Sequence, residues 1–120
     1  MYAILCIDDQ AASLSAVSYL VRSCGYICLS AASAEEAISA YSNSKVDMVV
    51  LDNDLTCTNA LALAKQLKQL RDVPLILVCK TSLNDKPGNV DLIVHKPIDA
   101  RGFSKIIHWV VRKSNSSSVA

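Results

Sequence analysis

Ala3-Ile-Leu-Cys-Ile-Asp-Asp9 is an apolar run of strand length closed by a pair of aspartates. A strand that is apolar on successive residues, rather than on alternate ones, is buried on both faces, as in a parallel sheet covered by helices. Further short apolar runs follow at residues 27–29, 48–51, 75–79 and 92–94. Between them the apolar residues fall at spacings of three and four, the period of an amphipathic helix. Leu14, Val17, Leu20, Val21 and Cys24 form one such stripe. Ala34, Ala37, Ile38 and Tyr41 form a second, and Ala60, Leu63, Ala64, Leu67 and Leu70 a third. The last consists of Phe103, Ile106, Ile107, Val110 and Val111.

The element ends carry their own signals. Ser33-Ala-Glu-Glu36 has the spacing of a capping box. Gly25 follows the first stripe, where a left-handed C-cap is wanted. Pro74 marks entry to the fourth strand, and Asp99 is placed to cap the last helix. Arg112 and Lys113 suit the negative end of that helix dipole. Residues 114–120, Ser-Asn-Ser-Ser-Ser-Val-Ala, read as a flexible tail, which leaves residues 1–113 as the folded unit. Residues 80–91 hold a lone leucine and Pro87-Gly88, with no helical stripe, so any helix there is short or irregular. Strands alternating with helices, joined by right-handed crossovers, give a doubly wound α/β fold with helices on both faces of the sheet.

At 120 residues the chain is one domain and can bury roughly two-thirds of its unfolded surface. With 52% hydrophobic and 19% charged residues it is too apolar for disorder. No apolar run approaches the ~20 residues of a spanning helix, and the N-terminus lacks the basic region of a secretory signal. A net charge of +1, with no long run of like charges, gives no field that would draw nucleic acid or acidic lipid. The cysteines, Cys6, Cys24, Cys28, Cys57 and Cys79, are odd in number and include no C-x-x-C pair. They read as reduced thiols packed as small hydrophobes in a cytoplasmic protein. No basic neighbour flanks Cys57 to activate it, and a zinc site is not indicated.

In doubly wound sheets, ligands bind outside the carboxyl ends of the strands. Asp8 and Asp9 follow the first strand, Asp52 closes the third, and Asp54 comes two residues later. Cys79-Lys80 ends the fourth strand and His95-Lys96-Pro97 the fifth. A lone aspartate after a strand is commonly a turn or cap residue, and a lone Lys-Pro says little. Together, in this order, they gather carboxylates and one lysine at a single sheet edge. Such carboxylates repel one another unless a hard cation with oxygen preference, such as Mg²⁺, sits among them. A carboxylate beside Mg²⁺ and a lysine is a nucleophile suited to phosphoryl transfer. His95 reads as an outward strand-end residue and His108 as a helix-flank residue, neither of them catalytic.

The pieces Ile4-Leu-Cys-Ile-Asp-Asp9, Val46-Asp-Met-Val-Val-Leu-Asp52, Val73-Pro-Leu-Ile-Leu-Val78 and Val94-His-Lys-Pro97 resemble the receiver domains of two-component response regulators, the chemotaxis type included. The resemblance runs from Ala3 to about Lys113. It implies a flavodoxin-like sheet of strand order 2-1-3-4-5. It makes Asp52 the phosphoacceptor, Asp9 a direct Mg²⁺ ligand, Asp8 a ligand through water and the Asp54 backbone carbonyl a further ligand. Lys96 would bind the phosphoryl oxygens. The implied donor is a histidine kinase or histidine phosphotransfer protein, and the domain is not an enzyme beyond turning over its own phosphoryl group.

The chain departs from the family at its switch. Cys79 stands where a Thr or Ser hydroxyl is usual, Lys80 where a small residue is usual, and Ile93 where an aromatic residue is usual. Leu55-Thr56 replaces the usual Met-Pro, and Asn59-Ala60 the usual Asp-Gly. The expectation is a stand-alone receiver whose output is protein contact or onward phosphate transfer, without direct nucleic-acid or membrane contact and with homodimerisation left open. The alternative is a phosphorylation-independent interaction module. A nucleotide-binding enzyme is disfavoured because no glycine-rich loop follows the first strand.

Overall fold

The structure, a computed structural model, describes all residues except 82, 84 and 120; the side chains of residues 115–119 also lie outside the described residues. The strands are β1 (Ala3–Ile7), β2 (Ile27–Ala31), β3 (Met48–Asp52), β4 (Leu75–Cys79) and β5 (Leu92–His95). The helices are α1 (Ala11–Ser23), α2 (Ala34–Asn43), α3 (Ala60–Leu70) and α4 (Ala100–Val119). All strand pairings are parallel, in the order β2-β1-β3-β4-β5.

The period of two along the strands divides the core into two layers. Leu5, Ile7, Val49, Leu51, Leu75, Leu77 and Cys79 pack with Ala37 and Tyr41 of α2 and with Leu63, Ala64 and Leu67 of α3. Ile4, Cys6, Met48, Val50, Ile76 and Val78 pack on the other face with Val21 of α1 and Phe103, Ile107, Val110 and Val111 of α4. Each central strand is therefore buried on both sides, which is why it carries no polar alternation.

The expected caps are made. Gly25 has φ 90° and its N–H donates to the Arg22 carbonyl, closing α1. Ser33 Oγ accepts from the Glu36 N–H at 3.1 Å, while Glu36 reaches back to the Ala32 N–H at 3.3 Å. The reciprocal bond of this capping box thus falls one residue earlier than usual. Ser33→Ala should lower stability by about 1 kcal/mol in urea unfolding. Asp99 accepts from the Gly102 N–H at 2.8 Å. Asn59, a cap that the sequence reading passed over, accepts from the Ala62 N–H at 3.1 Å.

Two segments depart from expectation. Among the described residues between β4 and β5 there is no helix, so the short fourth helix is replaced by irregular chain. Without a stripe, that segment has no apolar face to hold a helix on the sheet. It anchors instead through buried Val90 and partly buried Leu83. In residues 114–120, expected as a flexible tail, the described backbone is helical through Val119, while the side chains of residues 115–119 and all of residue 120 lie outside the described residues. No described helix is long and apolar enough to cross a membrane.

Candidate functional site

The carboxyl ends of β1, β3, β4 and β5 bring Asp8, Asp52, Asp54 and Lys96 together. Asp8 and Asp52 are 5% and 6% exposed, and Ser18 is the other buried polar side chain among the described residues. The β1 end is fixed by the Asp8 N–H donating to the Ala31 carbonyl. Asp8 Oδ1 accepts from the Gln10 N–H at 3.0 Å. Asp52 Oδ1 accepts from the Asp54 N–H at 2.8 Å, and Oδ2 from Lys96 Nζ at 2.9 Å. Lys96 is held at the end of β5 by its own N–H, which donates to the Cys79 carbonyl at 2.8 Å.

The two buried carboxyls are pushed apart in proton affinity. Burial, then the hydrogen bond shared with Asp52, raises Asp8 to about 6. Burial also acts to raise Asp52, but the bonds from Asp8, Lys96 and the Asp54 N–H outweigh it and hold Asp52 below the ordinary carboxylate value. Burial opposes the Lys96 charge, yet Asp52 and Asp54 raise its pKa and keep it protonated. Below about pH 6 the pair holds its proton on Asp8, while Asp52 is the carboxylate, the form a nucleophile needs.

Asp9 is turned differently from its neighbour. Its Oδ2 accepts from the Thr56 N–H at 2.7 Å and from Thr56 Oγ1 at 2.9 Å. These bonds, the backbone one first, lower its pKa. Its Oδ1 is buried with no hydrogen-bond partner, a desolvated oxygen on an ionised group. Among the described residues no three His, Cys, Asp or Glu side chains form a ready metal-ligand cluster. What the edge offers a hard cation is the Asp8–Asp52 pair and the unpartnered Asp9 oxygen, a donor set of oxygens only.

The Asp54 side chain does more than its reading as a loop residue. Its Oδ2 lies 3.3 Å from Lys96 Nζ and accepts from the Lys80 N–H at 3.2 Å. It ties the β3 loop to the chain leaving β4. Thr56 was also missed as a contributor. The signal was its place where the family keeps proline, which has no N–H to donate. Cys79 is fully buried in the layer under α2 and α3, and burial, then the charges of Asp54 and Asp52, raises its pKa. Lys80 is exposed, and Ile93 packs partly buried against the same layer as Cys79. His95 is exposed, and His108 Nδ1 lies 2.7 Å from the Tyr26 hydroxyl, far from the site. Cys57 is exposed on the loop after Asp52.

The family model described as the response regulator receiver domain matches residues 4–108. The heme response regulator HssR of Staphylococcus haemolyticus is 30% identical over 95% of this chain and 53% of its own length. The chain spans about half the length of the curated relatives it matches. A two-component response regulator from Clostridium difficile superposes with a TM-score of 0.88 at 19% identity, covering 96% of this chain and 99% of the other. The response regulator protein TrrA of Thermotoga maritima, in complex with Mg(2+)-BeF, superposes with a TM-score of 0.82 at 21% identity, covering 92% and 99%.

Proposed function

Because this chain belongs to the response regulator receiver domain family, we propose that it accepts a phosphoryl group on Asp52 with Mg²⁺ present. The observation that carries this reading is the geometry of the buried edge: Asp52, 6% exposed, is held at 2.9 Å by Lys96 Nζ, and Asp9 Oδ1 is buried with no hydrogen-bond partner. The donor is the phosphohistidine of a histidine kinase or phosphotransfer protein. An Asp52 oxygen forms the new bond to phosphorus, the bond from phosphorus to the histidine nitrogen breaks, and the nitrogen keeps the electron pair. Mg²⁺, when bound, neutralises charge on the transferring oxygens. Asp8, Asp9 and Asp52 would hold it, with the Asp54 carbonyl as a further ligand, and the buried unpartnered Asp9 oxygen is what makes the set fit. The Mg(2+)-BeF complex of the Thermotoga protein supports the same reading.

Lys96 has a role on both sides of the transfer. Before it, Lys96 Nζ holds the acceptor anion at 2.9 Å. After it, the same ammonium is within reach of the phosphoryl oxygens. Cys79 brings no hydroxyl to that group, since a thiol is a weak donor. The coupling to the chain after β4 passes instead through Asp54, whose carboxylate holds Lys96 and the Lys80 N–H together. A phosphoryl dianion on Asp52 repels Asp54 and competes for Lys96. The proposed output is contact with another protein, as a net charge of +1 supplies little field to draw nucleic acid.

Incubation with Mg²⁺ and a small acyl phosphate, followed by intact mass, tests the acceptor. One phosphoryl group should add to the wild type and none to Asp52→Asn. An unmodified wild type, or equal modification of both proteins, overturns the reading.

A further inference from the structure

The layer under α1 and α4 is mostly apolar, and a hydroxyl pair lies within it. Ser18 interrupts the α1 stripe and is buried at 3% exposure. Its Oγ lies 2.9 Å from Ser30 Oγ on β2. Next to this hydroxyl pair, Cys28 Sγ lies 3.5 Å from Cys6 Sγ and 3.9 Å from Ser30 Oγ. Cys6 is buried in β1, whereas Cys28 is only partly buried in β2. β2 is an edge strand, paired with β1 alone. The result is a group of two sulfurs and two hydroxyls that takes no part in the phosphoryl transfer proposed above.

We propose that Cys6 and Cys28 are a redox pair, with Cys28 the sulfur that meets a small hydroperoxide and Cys6 the thiol that resolves it into a disulfide. The Cys28 thiolate attacks the peroxide, the O–O bond breaks, and Cys28 becomes a sulfenic acid while the oxidant leaves as water or alcohol. The Cys6 sulfur then attacks Cys28, the S–O bond breaks, and water leaves with the Cys6 proton. The peroxide supplies the two oxidising equivalents that the disulfide holds.

The assignment of roles follows from the surroundings. Cys28 is the less buried of the two cysteines. The Cys6 contact, then the Ser18 and Ser30 hydroxyls and the Arg22 charge, outweigh burial and bring its pKa down to about 6. Cys6 is 1% exposed, so an oxidant in solvent meets Cys28 first and Cys6 follows as the resolving thiol. The register adds a mechanical property. Cys28 is level with Ile4, and Cys6 with Ser30, so the two are diagonal neighbours. Closing 3.5 Å to the ~2.05 Å of a disulfide requires a shift of β2 along β1, and β2 has a backbone ladder on one side alone.

The test treats the purified chain with hydrogen peroxide, blocks remaining thiols with a maleimide and maps the products by mass. The expected product is a peptide pair joined through Cys6 and Cys28 and released by a thiol reductant. Cys28 should be consumed about tenfold faster than the exposed Cys57. Cys6→Ser should leave Cys28 as a sulfenic acid that a dimedone reagent traps, and Ser18→Ala should slow the reaction severalfold. Quantitative maleimide labelling of Cys28 after peroxide overturns the assignment. So does a disulfide that runs through Cys24 or Cys57, or an equal rate for Cys28 and Cys57 in the wild type. The wild-type map needs no variant to fold.

Discussion

Lys96→Met is expected to destabilise the metal-free protein by about 3 kcal/mol near neutral pH, and by clearly less near pH 5. The ammonium sits against Asp52 at 2.9 Å and Asp54 at 3.3 Å, with the Lys96 and Asp52 side chains 21% and 8% exposed. Removing one member of a buried ion pair typically costs about 3–5 kcal/mol, because the other charge stays behind unpaired. The partial exposure of Lys96 places this site at the lower end. The pH dependence follows from the depressed pKa of Asp52. A carboxyl held below its unfolded value contributes stability that is present above that value and lost as pH falls through the folded one. With methionine at the position, the lowering influence of Lys96 is gone and burial raises Asp52 instead. Asp52 and Asp8 then take up protons as pH falls towards 5, and the penalty shrinks. Urea unfolding of wild type and variant at the two pH values measures this. A loss that does not change with pH, or no loss at all, would contradict it.

The sequence showed the site in outline because its members are strand-end residues. Once five apolar runs are read as parallel strands, Asp8, Asp52, Cys79 and Lys96 must share an edge, whatever their separation along the chain. The side-chain roles were not legible for a related reason. That the Asp54 carboxylate meets Lys96 and the Lys80 N–H depends on the path of two loops, and loop dihedrals leave little trace in composition. Thr56 holds Asp9 through a backbone N–H, a group that every residue but proline carries, so only the departure from proline hinted at it. The Cys6–Cys28 contact joins residues 22 apart in sequence and depends on strand register, which apolar runs leave open. Residues 80–91 are the reverse case: the missing stripe predicts at most a short or irregular helix, and no helix forms there among the described residues.

Asp8→Asn should make the metal-free protein more stable near pH 7.5 and leave it almost unchanged near pH 4, while removing most of the response to Mg²⁺. Asp8 has its pKa raised to about 6, by burial first and then by the bond shared with Asp52. Its folded form therefore holds a proton more tightly than its unfolded form between about pH 4 and pH 6. Stability falls as pH rises through that window and stays lost above it. Asparagine carries no charge at any pH. Its carbonyl can accept the Gln10 N–H that Asp8 Oδ1 accepts at 3.0 Å, and its amide can donate to Asp52 as the protonated acid does. The gain near pH 7.5 should be about 2 kcal/mol, or roughly 5 °C or more in Tm for a domain of this size. The same substitution removes one of the oxygen anions that the edge offers a hard cation, and Mg²⁺ affinity should fall about tenfold or more. Thermal unfolding with excess Mg²⁺ and with a chelator separates the two effects. The wild type should gain stability from Mg²⁺ near pH 7.5 and the variant much less, because a ligand stabilises only in proportion to its occupancy of the folded state. A variant that is less stable than wild type near pH 7.5 would mean that the ionised Asp8 is favourably paired in the fold instead of destabilising it. Equal Mg²⁺ stabilisation of the two proteins would remove Asp8 from the metal site.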